Sequence, residues 1–386
     1  MYDVVAGLAR AGHRVTVLAI NTPKHHQPAD ALAHLGANVR LVTVDINTDP
    51  SPVKALKNLL LSQYPYILER FISPRVGEVL LQILRADPVD VVQVEGTYMT
   101  WYAEWLGRQE SAELHVPPLV LRAHNVEYTI WQMLAARAAN PLKRFYFGNM
   151  AARLERFERR HLPQFDAVAA ITEQDADRLR ALGCPEPIVF IPAGADLDRL
   201  QPDPQLRAKP RTLLMMGLLN WLPNREAVEW VLRELWPTVR AEMPDVELHL
   251  AGRGTDLLSD LPPNVVAHGF VASAQDFMQQ YELMLVPLLS GGGMRVKIIE
   301  GMALGKCILS TTIGAEGIAV RDGHDIVLGD GRAAWLDALR AWYRGELPTA
   351  AIGAAAARTI RQVYDNQRVV QQFEDLYRRL AAPVAA

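Results

Sequence analysis

Residues 286–317 read VPLLSGGGMRVKIIEGMALGKCILSTTIGAEG, and this stretch decides the architecture. An apolar strand closes at Pro287, three glycines follow at Gly291 to Gly293, and a helix is expected from about Arg295 to Leu304, stopped by Gly305. A second strand, Cys307 to Ser310, comes almost at once. A strand, a glycine-rich turn and a helix start together present backbone N–H groups above the sheet, which is the make-up of an anion site. Arg295 and Lys297 place positive charge at a helix end that disfavours cations unless an anion compensates, so a phosphate-bearing ligand is expected there. Glu300, five residues beyond Arg295, can reach a hydroxyl beside the phosphates. The competing reading is a tight strand-to-helix turn whose basic residues face solvent.

Outward from this stretch the chain repeats strand and helix. In the second half the expected strands are Thr212–Met216, Val246–Ala251, Val265–Val266 and Ile326–Leu328, with helices over Arg225–Arg240, Ala274–Gln280, Arg332–Tyr343 and Ala350–Leu380, the last broken near Asp365 and Asn366. In the first half they are strands Arg14–Ile20, Asn38–Val44, Val89–Val94, Pro118–Arg122, Ala167–Ile171 and Ile188–Ile191. Helices are expected at Val4–Ala11, Asp30–Leu35, Val53–Leu61, Val76–Ala86 and Asn140–His161, and from Thr172, whose capping arrangement with Asp175 starts a helix to Leu182. The polar, proline-interrupted segment 201–211 (QPDPQLRAKPR) separates the halves. Alternating βα units on both sides give an α/β class with two Rossmann-like domains facing across a cleft: residues 1–200, linker 201–211, residues 212–360, and helices over 361–386 returning to the N-terminal domain. Such a domain opens on a strand and a glycine-rich turn, whereas this chain opens on a helix. The N-terminal first strand is therefore expected to be missing.

In the first half, Glu95, Gly96 and Thr97 follow one strand end, while His124, Asn125 and Glu127 follow the next, where open α/β sheets place ligand contacts. Histidine can donate or accept near neutral pH, so His124 is a site candidate, against the alternative of a satisfied turn. Trp101, Tyr102 and Trp105 could stack on a sugar, but at helical spacing they are expected in the core. His25 and His26 lack further ligands and are read as exposed. The helix over 140–161 carries Arg153, Arg156, Arg159 and Arg160, which suggests either contact with a membrane surface or a solvated basic face.

Composition excludes several classes. A formal charge of −3 with 22% charged residues argues against a general nucleic-acid binder. Two distant cysteines, Cys184 and Cys307, suit neither a disulfide framework nor a metal centre, and no run of 18 apolar residues is present. A cytoplasmic protein is expected; the membrane reading of residues 140–161, one of the two left open for that helix, would add peripheral contact at the inner face of the cell membrane. An oxidoreductase is disfavoured because no G-x-G-x-x-G follows an opening strand.

The run GGG-x-R-x-K-I-x-E at Gly291–Glu300 resembles the nucleotide-binding signature of glycosyltransferase family four, retaining enzymes of the GT-B fold. HNVE at His124–Glu127, IPAGAD at Ile191–Asp196, MGLLNWLPN at Met216–Asn224, HGF at His268–Phe270 and GAEG at Gly314–Gly317 fit the same family in the same order. The resemblance implies a nucleoside diphosphate sugar as donor substrate, no separate cofactor, and a glycan, lipid-linked or small-sugar hydroxyl as acceptor, in a setting such as polysaccharide biosynthesis. Glu300 matches the second glutamate of the family's E-x7-E motif, which bonds the ribose. The first glutamate falls on Gly292, a departure from the pattern. The backbone of Gly292, Gly293 and Met294 is left to address the sugar and distal phosphate. Gly217, Asn220, Trp221, Asn224, Gly252 and Phe270 complete the expected donor contacts, with Arg225 in the same loop. His124 matches the histidine that approaches the donor sugar.

Sugar transfer leaves a diphosphate anion, which Arg295, Lys297 and the helix start would neutralise without a metal, since no paired carboxylate of the DxD kind follows a suitable strand. Glu127 is read either as a nucleophile or as the group orienting His124. Two other classes share the plan: a non-hydrolysing nucleotide-sugar epimerase, and a truncated or degenerate nucleotide-sugar-binding partner without activity.

Overall fold

The structure is a computed structural model that describes residues 1–110, 115–184, 187–291 and 293–381. Packing divides the chain into two units, Met1–Pro192 with Val369–Ala386, and Ala193–Arg368.

The first unit opens with α1 (Tyr2–Arg10), β1 (Val15–Asn21) and β2 (Val39–Asp45), the strands pairing in parallel. Then come α2 (Pro52–Leu61), α3 (Tyr66–Glu69), α4 (Pro74–Ala86), β3 (Val92–Glu95) and α5 (Trp101–Gly107). After these come β4 (Leu119–Ala123), α6 (Glu127–Arg137), α7 (Pro141–His161), β5 (Ala167–Ala170), α8 (Glu173–Ala181) and β6 (Ile188–Phe190). Strands β3 to β6 form a second parallel sheet in sequential order. Every residue of β4 and β5 is buried, as expected of parallel strands covered on both faces. The one charge in β4, Arg122, is accommodated because its guanidinium donates to the carbonyls of Ile191 and Pro192 and lies 4.9 Å from the Phe373 ring. Thr172 caps α8 by accepting from the Asp175 amide at 2.9 Å. The segment 30–35 forms only a single 3₁₀ turn, Ala33–Leu35, not an α-helix.

The second unit contains β7 (Lys209–Met216), α9 (Leu222–Trp230), α10 (Trp236–Glu242), β8 (Glu247–Ala251), β9 (Val265–Ala267), α11 (Ala274–Gln279), β10 (Tyr281–Val286) and α12 (Val296–Ala303). It continues through β11 (Cys307–Ser310), β12 (Val327–Leu328), α13 (Gly331–Tyr343) and α14 (Thr349–Val363); α15 (Asn366–Ala381) then carries the chain back into the first unit. Its sheet is wholly parallel, in the order β12-β11-β10-β7-β8-β9. Chain order reverses at β7 and β10, so their C-terminal ends open a crevice. The helix expected over 225–240 begins earlier and is interrupted by a π turn, Val231–Leu235. Pro237, which has no N–H to donate, follows directly and explains the break in the ladder. The strand β7 starts at Lys209, inside the stretch whose composition reads as linker.

Candidate functional site

At the strand ends of the first unit, parallel pairing aligns Glu95 with Arg122 and so brings Glu95 beside the turn after β4. His124 Nε2 lies 2.7 Å from Glu95 Oε2. The other carboxylate oxygen of Glu95 accepts from Gln93 Nε2 at 2.6 Å, and Gln93 in turn accepts from the hydroxyl of Tyr377 on α15. Burial alone would raise the Glu95 carboxyl, but the bond to His124 and its charge outweigh this and hold it below the ordinary value. The imidazole is therefore held by a chain of side chains reaching back to the last helix.

Glu127, expected to orient His124 or to act as nucleophile, does not pair with the imidazole: Glu95 does. Glu127 is buried at the start of α6, where burial pushes its carboxyl up to about 7. Beside it Glu158, on α7, accepts from the Glu127 amide at 2.9 Å, the Tyr128 amide at 3.3 Å and the Thr97 hydroxyl at 3.4 Å. Glu158 thus caps α6 from the neighbouring helix, and burial pushes its own carboxyl up to about 8. The aromatic trio belongs to the packing: Tyr102 is buried with its hydroxyl donating to the Phe71 carbonyl at 2.8 Å, and Trp105 closes over Gly77.

The basic stripe of α7 departs from expectation at one of its four arginines. Arg153 is buried, donating to the carbonyls of Ser62 and Tyr64 and to the Asn58 side chain. Arg160 pairs with Glu104 and Arg159 with Glu155. Arg153 is thus part of the interior, while Arg156, Arg159 and Arg160 stay exposed on the outer face of the helix.

In the second unit, β7, β8 and β10 end together. A Cβ at Gly252 would stand 2.1 Å from the Gly217 carbonyl oxygen, and one at Gly217 would stand 2.5 Å from the Asn224 amide, so both positions demand glycine. Lys297, on the first turn of α12, donates to the Met216 carbonyl at 2.7 Å and to Asn224 Oδ1 at 2.9 Å, which joins the end of β7 to the helix after β10. Burial, and then the neighbouring Arg295, push the Lys297 ammonium down to about 8. Arg295 occupies the N-cap position of α12, donates to the Gly293 carbonyl at 2.6 Å and lies 5.4 Å from the Trp221 ring.

Of the expected donor contacts, Asn220 and Trp221 are exposed on the loop after β7 and Arg225 is exposed on the first turn of α9, while Asn224 is buried and spent on Lys297 and the Leu218 carbonyl. Arg225 donates to the Leu219 carbonyl. Phe270 stands exposed with Arg253 5.3 Å from its ring, and the Gly252 amide donates to the Gly269 carbonyl at 2.8 Å. Gly293 is buried, Met294 packs against the core, and Glu300 is partly buried within α12. Gly292 lies outside the described residues. Among the described residues there is no group of three His, Cys, Asp or Glu side chains placed to hold a metal ion.

Residues 1–194, more than half of the chain, match the family described as glycosyl transferase 4-like domain. The chain belongs to this glycosyltransferase family. Residues 210–344 match a second description, glycosyl transferases group 1. Among curated proteins the glycosyltransferase is similar to phosphatidyl-myo-inositol mannosyltransferase of Mycobacterium leprae, with 30% identity over 217 residues, 53% of this chain and 56% of that protein. The chain thus spans little more than half the length of that relative. Sucrose-phosphate synthase from Thermosynechococcus elongatus has a similar structure, with a TM-score of 0.71 at 17% identity over 99% of this chain and 92% of that one. Anabaena Alr3699/HepE in complex with UDP and glucose gives 0.66 at 14% identity over 97% and 94%. At these identities the likeness concerns the fold: two α/β units with parallel sheets, the GT-B fold.

Proposed function

We propose that this glycosyltransferase is a retaining, metal-independent enzyme that moves a sugar from a nucleoside diphosphate sugar to a hydroxyl acceptor in the cytoplasm. The observation that carries the reading is the glycine-cleared strand end of the second unit, over which Lys297 is fastened to Met216 and Asn224 beside Arg295. Two clustered cations and the N-terminus of α12 suit a diphosphate, to which Arg offers a planar fork and Lys a point charge.

In this reading Glu300 bonds the ribose, the backbone of Gly292 to Met294 meets the distal phosphate and sugar, and Phe270 and Trp221 flank the nucleotide. Asn224 and the Met216 carbonyl hold Lys297 in place, and Gly217 leaves room for the Asn224 side chain. As the anomeric carbon–oxygen bond breaks, charge gathers on the diphosphate and is met by Arg295 and Lys297. The acceptor oxygen bonds to that carbon on the same face, and its proton passes to the leaving phosphate. His124, steadied by Glu95, offers its imidazole to a sugar hydroxyl. Glu127 faces Glu158 and takes no covalent step. The acceptor is a sugar or a lipid-linked hydroxyl; the similarity to a protein named as a phosphatidyl-myo-inositol mannosyltransferase supports the lipid-linked class.

Calorimetric titration with UDP, GDP and ADP, beside Glu300→Ala, tests the proposal. Binding of one nucleotide, weakened at least about tenfold in the variant as expected for a lost charged hydrogen bond, is the expected result. Folded protein that binds none of the three, or binds equally well without Glu300, overturns it.

A further inference from the structure

Helix α2 is built inside out. Its single buried residue is polar: Asn58 donates to the Tyr64 carbonyl at 2.9 Å and to the Glu69 carboxylate, and accepts from Arg153 at 3.1 Å. Four apolar side chains point away, with Val53 78%, Leu56 59%, Leu60 72% and Leu61 76% exposed, while Ala55 and Leu59 are partly buried. Val53, Leu56 and Leu60 recur at helical spacing and form one outward stripe. Lys54 and Lys57 are exposed among them, and residues 51–62 contain no carboxylate.

The start of α7 has the same character. Leu142 is 80% and Phe145 71% exposed, Lys143 and Arg144 are exposed beside them, and no acidic residue occurs from 138 to 154. Arg153, reaching from α7 to Asn58, Ser62 and Tyr64, fixes the two helices to one another inside the first unit.

A helix that faces water normally shows the opposite pattern, polar outward and apolar inward. Exposed aliphatic and aromatic side chains interleaved with cations and free of acids match a helix lying in the interface of an anionic bilayer, where apolar groups enter the acyl boundary and lysines reach the headgroups. A second copy of the same face would bring cation against cation, which disfavours self-pairing. We propose that α2, together with the start of α7, docks the first unit on an anionic lipid bilayer. The inference concerns this surface and is independent of the donor reading, since nucleotide binding is measured without lipid.

Sedimentation of the full chain with vesicles of phosphatidylcholine, with or without phosphatidylglycerol, tests it. The chain is expected to pellet with the anionic vesicles at low salt and to lose at least about tenfold in partition near 1 M salt, where the screening length is about 3 Å. Leu56→Ser with Leu60→Ser is expected to cost about tenfold or more, because the apolar insertion is lost. Lys54→Glu with Lys57→Glu is expected to cost a similar factor, each cation near such a surface being worth about fivefold. Both pairs are exposed, so the far-ultraviolet dichroism and melting midpoint should remain those of the parent chain. Three results overturn the proposal: folded chain left in the supernatant at low salt, vesicle binding that survives both α2 variants but is lost on Arg156→Glu with Arg160→Glu, or self-association abolished by the leucine variants in a chain that binds no vesicle.

Discussion

The two strand-end regions reach order by opposite means. In the first unit, side chains lock one another: Tyr377 holds Gln93, Gln93 holds Glu95 and Glu95 holds His124, while Glu158 caps the helix beside them. In the second unit the region is shaped by absent side chains, with Gly217 and Gly252 letting backbone approach backbone and Lys297 with Arg295 supplying charge. One is a satisfied polar network and rigid by itself. The other concentrates positive charge in a partly desolvated place, where an arriving anion changes the electrostatics most.

The sharpest way to break this contrast is Gly252→Ala. Its Cβ would meet the Gly217 carbonyl oxygen, and its φ of 129° is one that an L side chain resists. A loss of about 3 kcal/mol is expected, read as a lower melting midpoint for the second unit. Gly107→Ala, with nothing within 4 Å of the added carbon, should be neutral or stabilising by up to about 1 kcal/mol. Equal effects at the two positions would mean that the glycine shelf is not tight.

Next in size is the pH response of the first unit. A buried acid whose folded pKa lies above its unfolded value stabilises most below the ordinary value near 4.5, and that contribution fades as pH rises through about 8. Denaturant midpoints for the first unit should fall between pH 5 and 9, values chosen as roughly bracketing this range. Glu158→Gln should flatten the slope while losing about 1 kcal/mol for a backbone acceptor. A slope unchanged in the variant would place the titration elsewhere.

Lys297 offers the matching test in the second unit. Near pH 8 its ammonium is partly deprotonated in the unliganded protein, and a diphosphate favours the charged form. Nucleotide binding should therefore take up protons, so that the calorimetric heat depends on buffer ionisation. Lys297→Met should remove the dependence. The smallest expected effect is that of Glu95→Gln on nucleotide binding, within about twofold as for independent sites. The same variant should speed exchange of the His124 ring N–H with solvent; an unaltered rate would show that Glu95 does not hold the imidazole.

Much of this was legible in the residues. Buried parallel strands are short apolar runs ended by glycine or a capping residue, and most strand bounds fall within a few residues of expectation. The Val286–Gly317 stretch carried its strand, turn and helix in order. Glu95 was named at a strand end, but its pairing with His124 comes from the alignment of β3 with β4, which brings together residues 29 apart. Assuming the two strands adjacent would have found it. Glu158 and Arg153 sit on a helix whose charges look alike in sequence; which of them turn inward is settled by Thr97, Asn58 and the carbonyls they meet. Asn224 read as a ligand contact because nothing local reveals that Lys297 claims its oxygen. Helix α2 was expected, but its inverted exposure depends on Asn58 finding Arg153 across 95 positions.

The first unit needs residues 369 onward, whereas the second is one unbroken segment, Ala193–Arg368. During synthesis, then, the half begun first is the half finished last. Until α15 emerges, Arg122 lacks its Phe373 cover and Gln93 lacks Tyr377. The nascent first unit must wait through the making of an entire neighbour with part of its core open, and a chaperone that binds this chain on the ribosome should find its substrate there.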